Sequence, residues 1–386
     1  MTGFAIKGWC PSALRPMPSG DGLVVRLRPR GGRLSSAQAA GIAELSARHG
    51  NGLIDLTGRA NLQIRGVSEQ SHPPLIEGID RLGMVDADPQ PESQRNILIA
   101  PFWREGDDIH SLAGELERAL AARPLGLPEK FGFAIDCGES RVVAQAPADV
   151  RIERGIDGGL IVRADGARLG RMLAREGAVD AAIALAQWFV ASGGVREGRG
   201  RMAAPIAIGK LPEIFAGDTQ PAPALAVPNP GLVASGALVG FAFGQLQSET
   251  LSTLATLAPG LRLTPWRMML VEDLREMPQH QGLVTRADDP LLRVIACTGA
   301  PTCPEAFAET RELAASLAPH IPSDTRLHVS GCAKGCAHPA PSALTLVGTA
   351  DGFDLVRDGS PRDVPAMRGL APENIFADPL AVLGGR

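Results

Sequence analysis

Four of the six cysteines, Cys297, Cys303, Cys332 and Cys336, fall within 40 residues of one another, as C-x5-C, a stretch of 28 residues, and C-x3-C. A secreted disulfide scaffold is short and cysteine-dense, and this chain is neither, so the quartet reads as metal or redox ligation before it reads as disulfides. Structural zinc sites favour two to four residues between paired ligands, and C-x5-C is wider. Iron–sulfur clusters are larger and accept more varied loops. The residues between the cysteines, Thr298-Gly299-Ala300-Pro301-Thr302 and Ala333-Lys334-Gly335, are mostly small. They let backbone amides approach the sulfurs, and such hydrogen bonds tune a reduction potential. The expectation is an iron–sulfur cluster, weighed against a zinc ion and against four unligated core thiols.

The elements that must carry these loops come in two copies. Residues 22–29 (GLVVRLRP) alternate apolar and basic side chains, as a half-exposed strand does. A helix follows, with Ser35 or Ser36 as N-cap, Ile42 and Leu45 in its apolar stripe and Gly50 as its stop. LIDLTGRANLQIRG then gives two β runs meeting at Thr57-Gly58-Arg59. Residues 236–274 repeat strand, Ser-capped helix, strand, strand, with Leu-Thr-Pro-Trp-Arg ending at Arg267 where the first copy has Leu-Thr-Gly-Arg ending at Arg59, one residue being inserted. The stretches after each copy also correspond. RNILIAP and the helix of residues 111–124 lead to KFGFAIDCGESR, while RVIACTGAPTC and a helix over 304–320 lead to RLHVSGCAKGC. This overlay sets Cys137 on Cys332 and Arg141 on Cys336, so only the second copy could hold four thiolates. The Pro-rich residues 217–231 read as a linker.

Composition bounds the remaining classes. The chain has 386 residues, so two or three domains are expected. A net charge of −4 argues against a general nucleic-acid binder. No apolar run reaches the roughly 18 residues of a membrane span, and the first residues lack the apolar core of a signal peptide, so a cytoplasmic protein is expected. Tyrosine is absent, which excludes a tyrosyl radical or a tyrosine general acid.

The cysteine spacing, in the context VSGCAKGCAHP, resembles the cluster signature of the nitrite/sulfite reductase superfamily. The duplicated pattern resembles that superfamily's ferredoxin-like half-domains over nearly the whole chain. Within it, GWCPSALRPMPSGDGLVVRLRP, KFGFAIDCG and SGCAKGCAHP are similar to the precorrin-3B synthase branch of aerobic cobalamin biosynthesis. The resemblance implies an α+β fold of duplicated reductase-like architecture: ferredoxin-like half-domains over 1–75 and 236–290, a cluster-free α+β domain over 76–216, a linker over 217–235 and a cluster-binding domain over 291–386. It implies a 4Fe–4S cluster on Cys297, Cys303, Cys332 and Cys336. Arg59 in LTGRANLQ matches the basic residue of the TxRQ motif, with Ala60 replacing glutamine. Arg95 in QRNIL matches a second anion-contacting arginine, and Lys130 in LPEKFG the first lysine of the KFK motif, whose second lysine is replaced by Gly132.

That loss weakens the case for six-electron oxyanion reduction, which needs concentrated positive charge and proton donors, and would open space for something bulkier. A large tetrapyrrole with many carboxylates suits the remaining cations instead, with Arg59, Arg65, Arg95, Lys130 and Arg267 as candidate contacts and Arg59, Arg95 and Lys130 as candidate catalytic groups. The activity implied is the dioxygen-dependent conversion of precorrin-3A to precorrin-3B, with a mononuclear non-haem iron and with NADH electrons delivered through a separate reductase. None of the seven histidines forms H-x-[DE], and His338 beside the cysteine loop is the first candidate iron ligand. A sirohaem-dependent sulfite or nitrite reductase is the alternative enzyme, and an electron-carrying module the non-enzymatic one.

Simpler readings stand beside each residue. Arg59 and Arg95 could be solvated turn residues, Lys130 a snorkelling strand-end lysine, and Arg65 and Arg267 strand-surface charge. Cys137 reads as a core thiol left by the duplication, and Cys10 is ambiguous. Gly198-Arg-Gly200-Arg-Met-Ala203 fits G-x-G-x-x-A formally, but it follows GGVRE rather than a strand and runs into Ala204-Pro205 rather than a helix, so a dinucleotide site is not expected.

Overall fold

The computed structural model describes residues 10–86, 92, 94–379 and 383. Residues 1–9, on which the reading of the N-terminus as free of a signal peptide rests, lie outside that set.

The first copy contains β1 (Met17–Ser19), β2 (Gly22–Leu27), β3 (Arg33–Ser35), α1 (Ser36–His49), β4 (Leu53–Leu56), β5 (Leu62–Val67) and α2 (His72–Arg81). α1 begins where predicted. The Ser35 side chain accepts from the Gln38 amide while the Gln38 side chain accepts from that of Ser35, a reciprocal cap that satisfies two orphan donors. A second unit follows: β6 (Ile97–Ile99), α3 (Asp108–Ala122), β7 (Phe133–Asp136), β8 (Val150–Arg154), β9 (Leu160–Ala164), β10 (Arg171–Leu173), α4 (Ala178–Ala191) and α5 (Ala203–Ala207). The second copy comprises β11 (Gly231–Val233), β12 (Gly236–Phe241), β13 (Gln245–Gln247), α6 (Ser248–Leu257), β14 (Gly260–Leu263), β15 (Met268–Glu272) and β16 (Leu283–Val284). The last unit holds β17 (Val294–Ala296), α7 (Arg311–Leu317), β18 (Leu327–Ser330), β19 (Ser342–Thr349), β20 (Gly352–Gly359), β21 (Met367–Leu370) and α8 (Pro372–Ala377).

The two ferredoxin-like halves exchange a strand. One sheet runs β1-β2-β5-β4-β13 and the other β11-β12-β15-β14-β3, so each half completes the other's sheet. The exchange is symmetric: Gln245 pairs with Asp55, and Arg33 with Arg262. Ile42, Ile54 and Ile64 from one half and Leu251, Leu261 and Val271 from the other belong to one core. Each such side chain contributes about 1.5–3 kcal/mol when fully buried, so splitting the halves would expose most of what stabilises either.

A buried ion cluster closes one of the exchanged seams. Arg33 Nη2 meets Glu272 at 2.6 Å and Arg262 Nε meets it at 2.6 Å. Burial pushes the Glu272 carboxyl up, but hydrogen bonds from the two guanidiniums outweigh it and hold the group below its usual value. A depressed folded-state value means that this stability is full above the unfolded carboxylate range near about 4.3 and is lost as pH falls through the folded value. The unfolding free energy of wild type minus that of Glu272→Gln should therefore shrink as urea titrations move below about pH 4.3. A difference that is flat with pH would show that the cluster is not coupled to folding.

The outer units are β10-β9-β8-β7-β6 and β17-β18-β19-β20-β21, each with three parallel strands followed by antiparallel ones. Residues 217–231 run along the first unit, with bridges from Thr219 to Gly170, Pro221 to Gly155 and Ala224 to Arg141.

Several details differ from the sequence reading. α3 begins at Asp108, three residues before Ser111, and α6 is preceded by Gln247, which makes no side-chain cap. The helix expected over 304–320 begins only at Arg311. The preceding backbone is engaged with the cysteine loops instead: Ala306 N–H donates to Cys303 O, Phe307 N–H to Gly331 O, and Ala308 O accepts from Ala300 N–H. Residues 203–207 do form a short helix after the glycine-rich segment, although no strand precedes it.

The ladders also correct the overlay of the copies. Phe133 pairs with Ile97 and Val150, as Leu327 pairs with Val294 and Leu344, and the spacing from 133 to 150 equals that from 327 to 344. Cys137 therefore corresponds to Gly331, and the places of Cys332 and Cys336 are taken by Gly138 and Val142. In the β4–β5 and β14–β15 turns, Thr57 N–H donates to Asn61 O as Thr264 N–H donates to Met268 O. The turns have equal length, so Arg59 corresponds to Trp266 and Ala60 to Arg267. The paired φ values of +52° at Ala60 and +62° at Arg267 agree with that register.

Candidate active site

Cys297 directly follows β17 and Cys332 lies two residues beyond β18. These are the carboxyl ends of adjacent parallel strands, where open α/β sheets hold their ligands. The Gly331 amide donates to Cys297 Sγ at 3.2 Å, and the Thr310 hydroxyl donates to Cys297 O at 2.7 Å. Gly299 has φ +72°, and a Cβ there would fall 2.6 Å from Thr310 Oγ1, so only glycine lets the first loop close on α7. Cys336 is exposed and the other three are half-buried. Burial pushes the Cys332 and Cys336 thiols up, neighbouring cysteines add to the rise, and Lys334 opposes it. Cys332 and Cys336 each lie near enough to the other cysteines of the quartet for their charges to act on them. Among the described residues no three His, Cys, Asp or Glu side chains converge where a single ion would sit. Four cysteine sulfurs are the soft donor set that a thiolate-held group takes.

The β1–β2 hairpin braces the first cysteine loop. Ser19 Oγ and Gly20 N–H both donate to Thr302 O, at 3.0 and 2.8 Å. A Cβ on Gly20 would lie 2.6 Å from Pro301 O. Gly20→Val should lower thermal stability by about 1–3 kcal/mol and disturb the first cysteine loop, read by melting curves and by the rate at which Cys303 reacts with a thiol reagent. Unchanged values for both would show that the hairpin contact is dispensable.

Behind this contact Arg65 is already engaged: Nη2 meets Asp21 at 2.7 Å and Nη1 lies 3.7 Å from Asp55, which also faces Arg311 at 3.4 Å. The structure gives Arg65 a bracing position where the sequence suggested a substrate contact. Arg95 is likewise tied down, with Nη2 on Asp86 and Nη1 on Arg28 O, both at 2.7 Å. It lines a cavity of about 220 Å³ together with Arg28, Arg30 and His110, and Arg59 is not among the lining residues. Arg267 donates to Ala337 O at 3.4 Å, beside the second cysteine loop.

Arg59 and Lys130 do meet. Arg59 Nη2 donates to Lys130 O at 3.1 Å, and the Lys130 side chain is exposed. Two groups that sequence reasoning left out of the site, Arg26 and Arg201, join them. Arg26 approaches Cys10 and Arg59, with burial first and Arg28 second in lowering its pKa to about 10. Burial and then Arg201 lower that of Arg59. The Nε atoms of Arg26 and Arg59 are buried with no hydrogen-bond partner among the described residues. The Cys10 amide is held by the Glu129 carboxylate. Arg28, by contrast, is satisfied by Glu92 at 2.9 Å and Asn96 at 3.3 Å. The alternation in GLVVRLRP carried a signal for Arg26, whereas nothing periodic marks Arg201.

Two other expectations change. Gly132 leaves no void, because a Cβ there would press on Asn96 O at 3.2 Å. His338 stacks edge-on against His328, with ring centroids 5.8 Å apart. His328 is fully buried, both of its ring nitrogens lack partners among the described residues, and burial, His338 and Arg267 push its pKa down to about 4. No carboxylate completes an iron site beside this pair among the described residues, so no mononuclear-iron ligands are assigned. Cys137 is a buried core thiol, with its pKa pushed up to about 12 by burial.

Comparison with known proteins follows the same lines. The family model for the nitrite/sulfite reductase ferredoxin-like half domain matches residues 15–82. A precorrin-3B synthase from Sinorhizobium sp is 31% identical, over 98% of this chain and 88% of its own length. The chain belongs to the precorrin-3B synthase family. A ferredoxin–nitrite reductase from Synechococcus elongatus is 26% identical over 88% of this chain and 78% of its own. The solved structure of the Mycobacterium tuberculosis NirA protein superposes with a TM-score of 0.67 at 18% identity, covering 92% of this chain and 79% of that one. The family thus shares the nitrite/sulfite reductase fold, as the duplicated pattern implied. No helix among the described residues is long and apolar enough to cross a membrane.

Proposed function

We propose that the chain converts precorrin-3A to precorrin-3B with dioxygen in cobalamin biosynthesis. The observation that carries this reading is the Arg26–Arg59–Lys130 group, three cations gathered in a chain of net charge −4. Guanidiniums fork onto carboxylates, and a tetrapyrrole carries many of them. In the reaction one oxygen atom enters as the hydroxyl on the meso carbon between rings D and A. The ring A acetate closes a γ-lactone on the adjacent carbon, and the second oxygen leaves as water after taking two electrons and two protons.

Arg59 and Lys130 hold and orient the macrocycle's carboxylates. A 4Fe–4S cluster on Cys297, Cys303, Cys332 and Cys336 supplies electrons when bound. NADH is the indirect source through a separate reductase, and the mononuclear non-haem iron is implied by resemblance alone, with no ligand set for it among the described residues. The cytoplasm is the compartment that suits such a thiolate site.

The visible spectrum of protein purified without air tests the cofactor side. A broad brown band that bleaches with dithionite, with no sharp macrocycle bands, is expected. Sharp red-region bands together with viologen-driven nitrite or sulfite reduction would move the assignment to a sirohaem reductase, and zinc in a colourless protein would remove both readings.

A further inference from the structure

Segment 196–202 has no part in the proposed function, yet it brings a cation, Arg201, to the backbone segment that Arg59 also holds. Asp149 is fully buried and accepts four hydrogen bonds: from Gly132 N–H at 3.0 Å, from Met202 N–H at 2.8 Å, and from Arg201 Nε at 2.9 Å to one oxygen and 3.1 Å to the other. Arg201 Nη2 also donates to Ala148 O at 3.4 Å, while 39% of its side chain stays exposed. The carboxylate thus holds the guanidinium by its Nε edge and leaves the outer edge towards solvent. Gly200 makes this approach possible, since a Cβ there would fall 2.0 Å from Gly194 O.

Residues 130–132 locate the partner. Arg59 holds the carbonyl of Lys130 at 3.1 Å, and Asp149, carrying Arg201, holds the amide of Gly132 two residues on. Two guanidiniums therefore flank one short backbone segment. Asp149 and Cys10 already offset part of the repulsion that Arg201 and Arg28 exert on Arg59, and a further anion held by both guanidiniums would offset more of it. A carboxylate accepts two parallel N–H bonds from one guanidinium and has lone pairs left for a second.

We infer that Arg201, set in place by Asp149, pairs with Arg59 as a two-arginine clamp on one substrate carboxylate. Arg201 is the specificity-determining member, because it lies on a separate segment and is oriented by a buried acid that also holds the Gly132 and Met202 amides. The cation absent at Gly132 is thereby replaced from elsewhere in the chain. This inference rests on the tetrapyrrole reading and names the residue by which that site recognises its ligand.

The test uses full-length protein purified without air and uroporphyrin, an octacarboxylic porphyrin, as the probe, titrated by absorbance in wild type, Arg201→Gln and Arg201→Lys. Wild type should bind, Arg201→Gln should bind at least about tenfold more weakly with a shallower dependence on salt, and Arg201→Lys should recover part of the loss. Asp149→Asn combined with Arg201→Gln should be little worse than Arg201→Gln alone, since Asp149 acts through Arg201. Equal affinity and salt slope in wild type and Arg201→Gln would overturn the clamp while leaving the tetrapyrrole reading standing. Absence of uroporphyrin binding to wild type would overturn that reading and the clamp with it.

Discussion

Replacing Cys332 with serine should leave the protein without its iron. The thiolate stands at the end of β18, where it shares a space with Cys297 and Cys303, and a serine hydroxyl is a poor soft donor at neutral pH. Because ligation free energy is also folding free energy, the loss extends beyond colour. The C-terminal unit has its own core, with Leu313, Leu327 and Phe353 among its members, distinct from the core shared by the exchanged halves. Melting should then show a low-temperature transition for this unit, with the exchanged body unfolding later. Iron should fall from about four per chain to near zero. Cys137→Ser is the control, since Cys137 corresponds to Gly331 and packs in the other outer core. It should lose some stability and keep its iron. Full iron in Cys332→Ser would remove that residue from the ligand set.

Arg59→Ala carries the second large effect, on binding rather than on iron. Arg59 sits in the tight β4–β5 turn, its amide held by Thr57 Oγ1 at 3.3 Å and its guanidinium by Lys130 O at 3.1 Å, so the group is placed before any ligand arrives. The side chain is half-buried, so a carboxylate bound at its accessible edge gains a partly desolvated, charge-assisted contact. Truncating one member of such a pair costs about 2–5 kcal/mol, which is about 30-fold to several thousand-fold in Kd for precorrin-3A. Iron content should not change. Arg65→Ala should behave in the opposite way, because Arg65 braces the hairpin against the cysteine loop: stability and cluster retention fall, with substrate affinity affected less. An unchanged Kd in Arg59→Ala would return Arg59 to the status of a solvated turn residue.

The contrast between these arginines shows where sequence reading stops. Alternation and capping placed β2, α1, β4 and β5, because those signals are local: a two-residue period, and a Ser35–Gln38 cap. The strand exchange was invisible, since β3 and β13 are three residues each and show no period of their own. Duplication was legible, but its register was not. A one-residue slip set Arg267 on Arg59 and Cys137 on Cys332, and only the ladders separate them. In the second copy Trp266 occupies the Arg59 place and packs on Phe102 at a centroid distance of 6.0 Å, so one turn presents a cation and its twin an apolar ring. The premature helix at 304–310 has the same origin: its composition is helical, but its amides and carbonyls are drawn to the cysteine loops.

Residue type likewise told little about which arginines are available. Arg65 and Arg95 match the pattern of anion contacts, yet their acids, Asp21 and Asp86, lie far enough away in sequence that pairing emerges only on folding. Arg26 and Arg201 become site residues through the contacts of neighbouring segments.

The central claim is best tested by the source of the oxygen in the product. Anaerobic protein, precorrin-3A and a chemical reductant would be exposed to 18O-labelled dioxygen and the tetrapyrrole examined by mass spectrometry. We expect one labelled oxygen atom per product molecule and no conversion without the gas. Unlabelled oxygen in the product, or no conversion by a cluster-loaded protein that reduces nitrite or sulfite, would contradict the assignment.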